Sequence, residues 1–308
     1  MREIGVRRYW WVLALLGVTA AWGISFPVVK CALEHCPQID GGFGLGSIER
    51  PTEPFLFLSL RFLIAALLVG AASFRTLRRL NRRQVLVGCG IGLALCAGYA
   101  FQTLGLERTT ASNAGLLTGL YVVLTPILGA AVHRLFPSWT TTAGALLAFT
   151  GLFLIAAPSG IRIGLGDGLV VVCAFCFAVH LVLLGRFAGS APVAALVALQ
   201  LGVTAVVTGM LSLATERAPL PTESGIWFAI VGTAILATVV AFFIQTAAQR
   251  FIPPSRTAVI LTMESPMAAL FGFVMLGERL TARGWAGAAL IVAGMLVAEL
   301  MARSAEAV

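Results

Sequence analysis

The chain has 308 residues, of which 21 are Lys or Arg and 13 are Asp or Glu, so 11% is charged against about 25% in an ordinary soluble domain. With 59% apolar residues and a mean hydropathy of +0.97, there is too little polar surface to coat a globule of this size, which argues against a water-soluble fold. The net charge of +8 does not point to nucleic acid, because the basic residues fall in small clusters between apolar runs rather than along one face.

Ten apolar runs follow one another: Trp10 to Val29, Phe55 to Ser73, Gln84 to Leu104, Ala114 to Val132, Thr141 to Ala157, Gly168 to Leu184, Val193 to Ala214, Gly225 to Ala248, Thr257 to Leu276 and Gly284 to Met301. The first follows Arg2, Arg7 and Arg8 but is longer than the core of a signal peptide. The runs lack the alternation of a barrel wall, and a backbone in hydrocarbon must bond to itself. The expected fold is an all-α integral membrane protein of ten transmembrane helices. At about 20 residues per span these occupy roughly 200 residues, so loops are short.

Lys and Arg favour cytoplasmic loops. If the N-terminus is inside, that side holds Arg2, Arg7, Arg8, Arg75, Arg78, Arg79, Arg82, Arg83, Arg134, Arg186, Arg250, Arg256 and Arg303. The opposite side holds only Lys30, Arg50, Arg108, Arg162, Arg217, Arg279 and Arg283. Both termini are therefore expected in the cytoplasm, and the protein in the plasma membrane. The one long outside loop, 31–54, reads as a Gly-rich surface insertion. Cys31 and Cys36 stand at its start and flank a short polar stretch, where a disulfide is one option. Cys89, Cys96, Cys173 and Cys176 lie inside apolar runs and read as packing residues; the Cys173–Cys176 spacing lacks the further ligands that a metal needs.

A shift of 143 residues superimposes Gln102-Thr103 on Gln245-Thr246, Ser112 on Ser255, Gly129 on Gly272, Ala143-Gly144-Ala145 on Ala286-Gly287-Ala288 and Gly151 on Gly294. This pattern predicts a duplication into residues 1–157 and 158–308. Each half holds five helices, an odd number, so the second must enter the membrane from the opposite side as an inverted repeat. Two inverted halves can exchange shapes around a central cavity, which predicts alternating access; the competing reading is duplication that merely built a stable bundle.

Several motifs resemble the drug/metabolite transporter superfamily, and within it the EamA-type ten-helix branch. They are Trp22-Gly23, Arg61-Phe62, the run Ser112-Asn113-Ala114-Gly115-Leu116-Leu117-Thr118-Gly119-Leu120-Tyr121, Glu264-Ser265-Pro266 and Gly277-Glu278-Arg279-Leu280-Thr281. The resemblance implies a secondary carrier, often an exporter of amino acids or other small metabolites. Its cavity is lined by the first four helices of each half, and the fifth and tenth lie at the periphery. The 31–54 insertion and His133-Arg134-Leu135, where the second half has Gly277-Glu278-Arg279, depart from the pattern.

Ionisable groups within a span are costly and face a bundle interior or a wet cavity. Arg61 stands about seven residues into the second run, roughly 10 Å deep, and Glu264 near mid-membrane in the ninth. The repeat sets Tyr121 opposite Glu264, and a looser match sets Gln200 opposite Arg61 and Ser25 opposite His180. Two polar groups result: Ser25, Arg61 and Tyr121 toward the outside, and His180, Gln200 and Glu264 toward the inside. A guanidinium can bind a substrate carboxylate through two parallel hydrogen bonds, and Glu264 or His180 could carry a proton, the candidate coupling ion. The structural alternative is an Arg61–Glu264 pair and a His180 that merely bonds a carbonyl. Trp22 is a candidate cavity wall, and Pro27, Pro126 and Pro266 are candidate hinges.

No Walker lysine motif, HExxH helix or nucleophile elbow occurs, so no catalytic residue, metal or cofactor is assigned. The expected partners are a small-molecule substrate and membrane lipid, with no nucleic acid, in a monomer or homodimer. A membrane-embedded enzyme or lipid-modifying factor is the alternative reading, and a structural membrane component a third.

Overall fold

The computed structural model describes residues 2–33, 52–106, 108, 117–133, 137–156, 164–216, 219–276 and 281–306. All regular structure among them is helical, as a backbone that cannot bond to water requires. In chain order the helices are α1 (Arg2–Leu33), α2 (Pro54–Ala72), α3 (Phe74–Leu77), α4 (Arg82–Leu106), α5 (Tyr121–His133), α6 (Trp139–Ala156), α7 (Leu165–Phe187), α8 (Val193–Thr215) and α9 (Ser224–Ala234). A π-helix, Ile235–Val240, joins α9 to α10 (Ala241–Ala248), followed by α11 (Pro254–Leu261), α12 (Glu264–Leu276) and α13 (Ala282–Glu306).

Six stretches are long and apolar enough to cross a bilayer: Tyr9–Leu33, Pro54–Ala72, Arg82–Gly105, Leu165–Phe187, Val193–Thr215 and Ser224–Ala248. Tyr121–Val132, Trp139–Leu154 and Ala282–Ala298 are apolar but shorter. Leu67, Leu93, Val206, Met210 and Leu213 stand exposed on the outward faces, which suits a lipid solvent. The sequence anticipates unbroken fourth and ninth runs, and the structure differs. The ninth is divided into α11 and α12 by a turn at Thr262 and Met263. The fourth breaks likewise: Leu117 and Thr118 are helical, Gly119 and Leu120 form a turn, and α5 starts at Tyr121. In both breaks the chain tightens to three-residue hydrogen bonds, with the Leu120 N–H donating to the Leu117 carbonyl at 3.2 Å and Met263 to Ile260 at 3.1 Å. These positions coincide under the shift of 143.

Packing follows the same correspondence. α2 packs on α8 and α6 on α13, second on second and fifth on fifth, while α1 packs on α12 and α5 on α7, first on fourth in each case. α6 and α13 cross antiparallel through glycines. A Cβ on Gly144 would lie 2.6 Å from the Gly294 carbonyl, and one on Gly151 would lie 2.4 Å from the Gly287 carbonyl. Only residues without a Cβ allow backbones this close. Gly23 serves α1 in the same way, since a Cβ there would meet Met267 Cβ at 2.5 Å.

Two large buried apolar clusters, along with two smaller ones, form the interior of the described residues. Of the large pair, one is built by α1, α5, α6, α7 and α10 to α13, the other mainly by α2, α4 and α8, and both Trp22 and Phe177 pack against each of them. Glu216, at the end of α8, accepts the Phe55 and Leu56 backbone N–H groups at 2.7 and 2.8 Å. This carboxylate caps the otherwise unbonded start of α2 and favours the positive end of its dipole. Cys31 is disulfide-bonded; Cys36, the 31–54 insertion beyond Leu33, Ser112 to Leu116, Arg134-Leu135 and Gly277 to Leu280 fall wholly or largely outside the described residues.

Candidate functional site

The site begins with α2, whose buried stripe runs through Phe55, Leu58, Phe62, Ala65 and Val69 at helical spacing and carries Arg61 inward with it. Arg61 is 4% exposed. Its Nε donates to Thr238 Oγ1 at 2.7 Å and its Nη2 to the Ala237 carbonyl at 3.1 Å. The Trp22 indole N–H donates to that same carbonyl at 2.8 Å. The Ala237 carbonyl belongs to the π turn, whose ladder spans five residues rather than four. Within the turn, the Thr238 hydroxyl donates to the Thr233 carbonyl at 3.0 Å, a five-residue span. The guanidinium is flanked by the rings of Phe62 and Tyr99, 5.7 and 6.0 Å from their centroids. Its Nη1 makes no hydrogen bond among the described residues.

A second polar group joins α7, α8 and α10. His180 Nε2 lies 3.0 Å from Gln200 Oε1, and Gln200 Nε2 donates to Thr246 Oγ1 at 3.2 Å. All three side chains are buried, so the hydrogen bonds offset the cost of removing them from water. Between this group and Arg61 stands a wall of aromatic rings: Trp22 against Phe242 at 5.8 Å, Phe242 against Phe62 at 6.5 Å, Phe62 against Tyr99 at 5.1 Å, and Tyr99 against Phe177 at 5.4 Å. His180 meets Phe242 edge-on at 6.2 Å.

Glu264 and Tyr121 are the first residues of α12 and α5, directly after the two helix breaks. Glu264 is within electrostatic range of Arg61, Tyr99 and Tyr121, yet its carboxyl group makes no hydrogen bond or ion pair among the described residues. These contacts run across the outer and inner sets into which the sequence sorts the polar residues. Ser25 differs from the others: its hydroxyl donates to the Trp22 carbonyl at 2.7 Å within its own helix. Pro27 and Pro126 lie inside α1 and α5, and Pro266 stands in the first turn of α12.

The sequence reading misses Tyr99, Thr238, Thr246, the Ala237 carbonyl and the rings of Phe62, Phe177 and Phe242. Tyr99 carries a usable signal, being one of three tyrosines in the chain and inside an apolar run; Thr246 sits in the duplicated Gln-Thr pair. A backbone carbonyl carries none. Among the described residues no group of three His, Cys, Asp or Glu side chains is placed to hold a metal.

Residues 46–157 and 164–299 each match the EamA-like transporter family. The chain belongs to that family. An uncharacterized transporter of Archaeoglobus fulgidus is 32% identical over 296 residues, 96% of this chain and 88% of the relative. A probable amino-acid metabolite efflux pump of Salmonella typhimurium is 27% identical over 298 residues, 92% of this chain and 93% of the relative. A solved crystal structure shares the fold at a TM-score of 0.77 and 22% identity, covering 95% of this chain and 98% of its own. This EamA-like protein is thus a multi-pass membrane transporter of two repeats and not an enzyme, so the alternative of a membrane-embedded enzyme or lipid-modifying factor falls.

Proposed function

We propose that this EamA-like transporter is a secondary carrier that exports small metabolites bearing a carboxylate, amino acids first among them, by alternating access between two inverted five-helix halves. The halves are residues 1–157 and 158–308, giving ten spans with both termini in the cytoplasm and the carrier in the plasma membrane. The observation that carries the reading is Arg61: a buried guanidinium in an apolar bundle, bound among the described residues only to neutral acceptors and with no hydrogen bond from Nη1 there. Such a charge is costly in hydrocarbon unless it has a task, and a carboxylate is the ligand its geometry suits. The efflux pump among the relatives supports export and the substrate class. The shared helix breaks and the first-on-fourth packing support an inverted duplication, in which each half can take the other's shape.

Glu264 is the proposed proton carrier. Its carboxylate couples electrostatically to Arg61 without a direct pair, so the ionised Glu264 and a substrate carboxylate, having like charge, compete for the field of one guanidinium. His180, held by Gln200, orients that side of the cavity. The test is counterflow of radiolabelled amino acids into proteoliposomes. Arg61→Ala should abolish saturable uptake, whereas Glu264→Gln should preserve counterflow while removing its response to an imposed pH gradient. Unchanged transport in both variants would overturn the site, and absence of counterflow by any carboxylate-bearing metabolite would overturn the substrate class.

A further inference from the structure

We propose that a pocket at the end of α2, remote from Arg61, holds the phosphodiester of an anionic phospholipid. The cavity has a volume of about 560 Å³ and is lined by Arg75, Thr76, Arg79, Leu80, Gln84 and Pro192. It is therefore built where the α2–α3–α4 corner of the first repeat meets the start of α8 in the second. Arg75 of α3 and Arg79 of the turn that follows it both line the pocket, and neither has a hydrogen bond or an acidic partner among the described residues. No acid lies between Glu53 and Glu107, nor between Asp167 and Glu216, so neither wall of the pocket offers a counter-charge.

The walls are fixed rather than loose. Gln84 and Asn81 bond reciprocally, the Asn81 N–H to Gln84 Oε1 at 3.0 Å and the Gln84 N–H to Asn81 Oδ1 at 2.9 Å. Gln84 Nε2 then donates to the Ser190 carbonyl at 2.8 Å, tying the start of α4 to the loop before α8. On that loop the Arg250 guanidinium donates to the Ala188 and Ala191 carbonyls at 2.8 and 2.6 Å, so this arginine is spent on structure while Arg75 and Arg79 are not. The pocket also sits at the hydrocarbon boundary. On the helices that lead into it, Leu67 and Leu68 of α2 and Leu86 of α4 are exposed, and Phe74 is 57% exposed with the Arg78 guanidinium 5.5 Å from its ring centroid. Acyl chains therefore reach this level, which favours a lipid-borne phosphate over a free one. Two planar guanidiniums, with the Thr76 hydroxyl beside them, match the oxygens of a phosphodiester in number and geometry. Basic pockets between membrane helices recur as sites for anionic headgroups.

The test is native mass spectrometry of the full chain in detergent, titrated with phosphatidylglycerol, phosphatidylcholine or inorganic phosphate. One phosphatidylglycerol should be retained in preference to phosphatidylcholine, and millimolar phosphate should not displace it. Arg75→Gln/Arg79→Gln should weaken retention by about tenfold or more, while Arg82→Gln/Arg83→Gln, which removes the same charge outside the pocket, should change it by less than about twofold. Arg75→Lys/Arg79→Lys should fall between them, because it keeps the charge and loses the fork, and it serves if the Gln pair does not fold. Equal losses in the two Gln pairs would reduce the effect to diffuse charge and overturn the proposal. No preference for phosphatidylglycerol, or displacement by free phosphate, would overturn it as well. None of these readouts depends on the transported substrate, so the proposal stands or fails apart from the proposed export.

Discussion

Arg61 is anchored by two acceptors from consecutive residues of one neighbouring helix, the Ala237 carbonyl and the Thr238 hydroxyl. Lysine has one nitrogen at the end of a flexible stem and cannot span both positions. Arg61→Lys should therefore lower thermal stability by about 1–3 kcal/mol and reduce counterflow by roughly tenfold, and Thr238→Val should cost about 1 kcal/mol. The double variant should lose less than the sum of the two, because both single changes break the same contact. Additive losses in detergent melting curves would mean that the 2.7 Å hydrogen bond contributes nothing. Arg61 was legible in the sequence because a charge within an apolar run has no cheap explanation. Its acceptors were not: Thr238 is one threonine among several in the spans, and a carbonyl acquires its role only from backbone shape.

That shape belongs to the helical element. The residues 143 positions earlier than the π-helix, 92–97, lie inside the regular α4, so the two repeats differ here in local helix geometry. A π turn holds one residue more than the α-helix it interrupts. Deleting Leu236, which is exposed on the outer face, should restore an α-helical ladder without rotating α10 relative to α9. The shortened chain should still insert and fold, while the Ala237 carbonyl and Thr238 hydroxyl are carried away from Arg61 and counterflow is lost. Retained transport in a folded deletion variant would show that the π turn is incidental to the site. Hydropathy located nearly every helix but neither this turn nor the breaks at Gly119-Leu120 and Thr262-Met263. All three lie within unbroken apolar sequence, where composition is blind to which carbonyl bonds to which amide.

At the scale of the whole molecule, the self-match by 143 residues relates glycines that meet in the structure. Gly144 and Gly151 in α6 correspond to Gly287 and Gly294 in α13, and they cross in exchanged pairs, Gly144 against Gly294 and Gly151 against Gly287. A plain antiparallel pair could place its glycines in any register; pairing each with the counterpart of the other is what a twofold relation demands. The proposed topology further requires the two ends of the chain to share a face, so tags at each terminus should both react with a membrane-impermeant reagent only after the cytoplasmic side is opened. The crossing itself yields the sharper test. Gly144→Leu and Gly151→Leu each place a side chain against a backbone carbonyl, at different crossings, and each should cost about 1–3 kcal/mol of stability, with similar values for the two. Gly144→Leu combined with Gly294→Leu strikes one crossing twice and should cost less than the sum, since helices already parted by the first leucine accommodate the second. Gly144→Leu combined with Gly151→Leu strikes both crossings and should come closer to additivity. The opposite ranking in melting experiments would mean that α6 and α13 do not meet in this exchanged register.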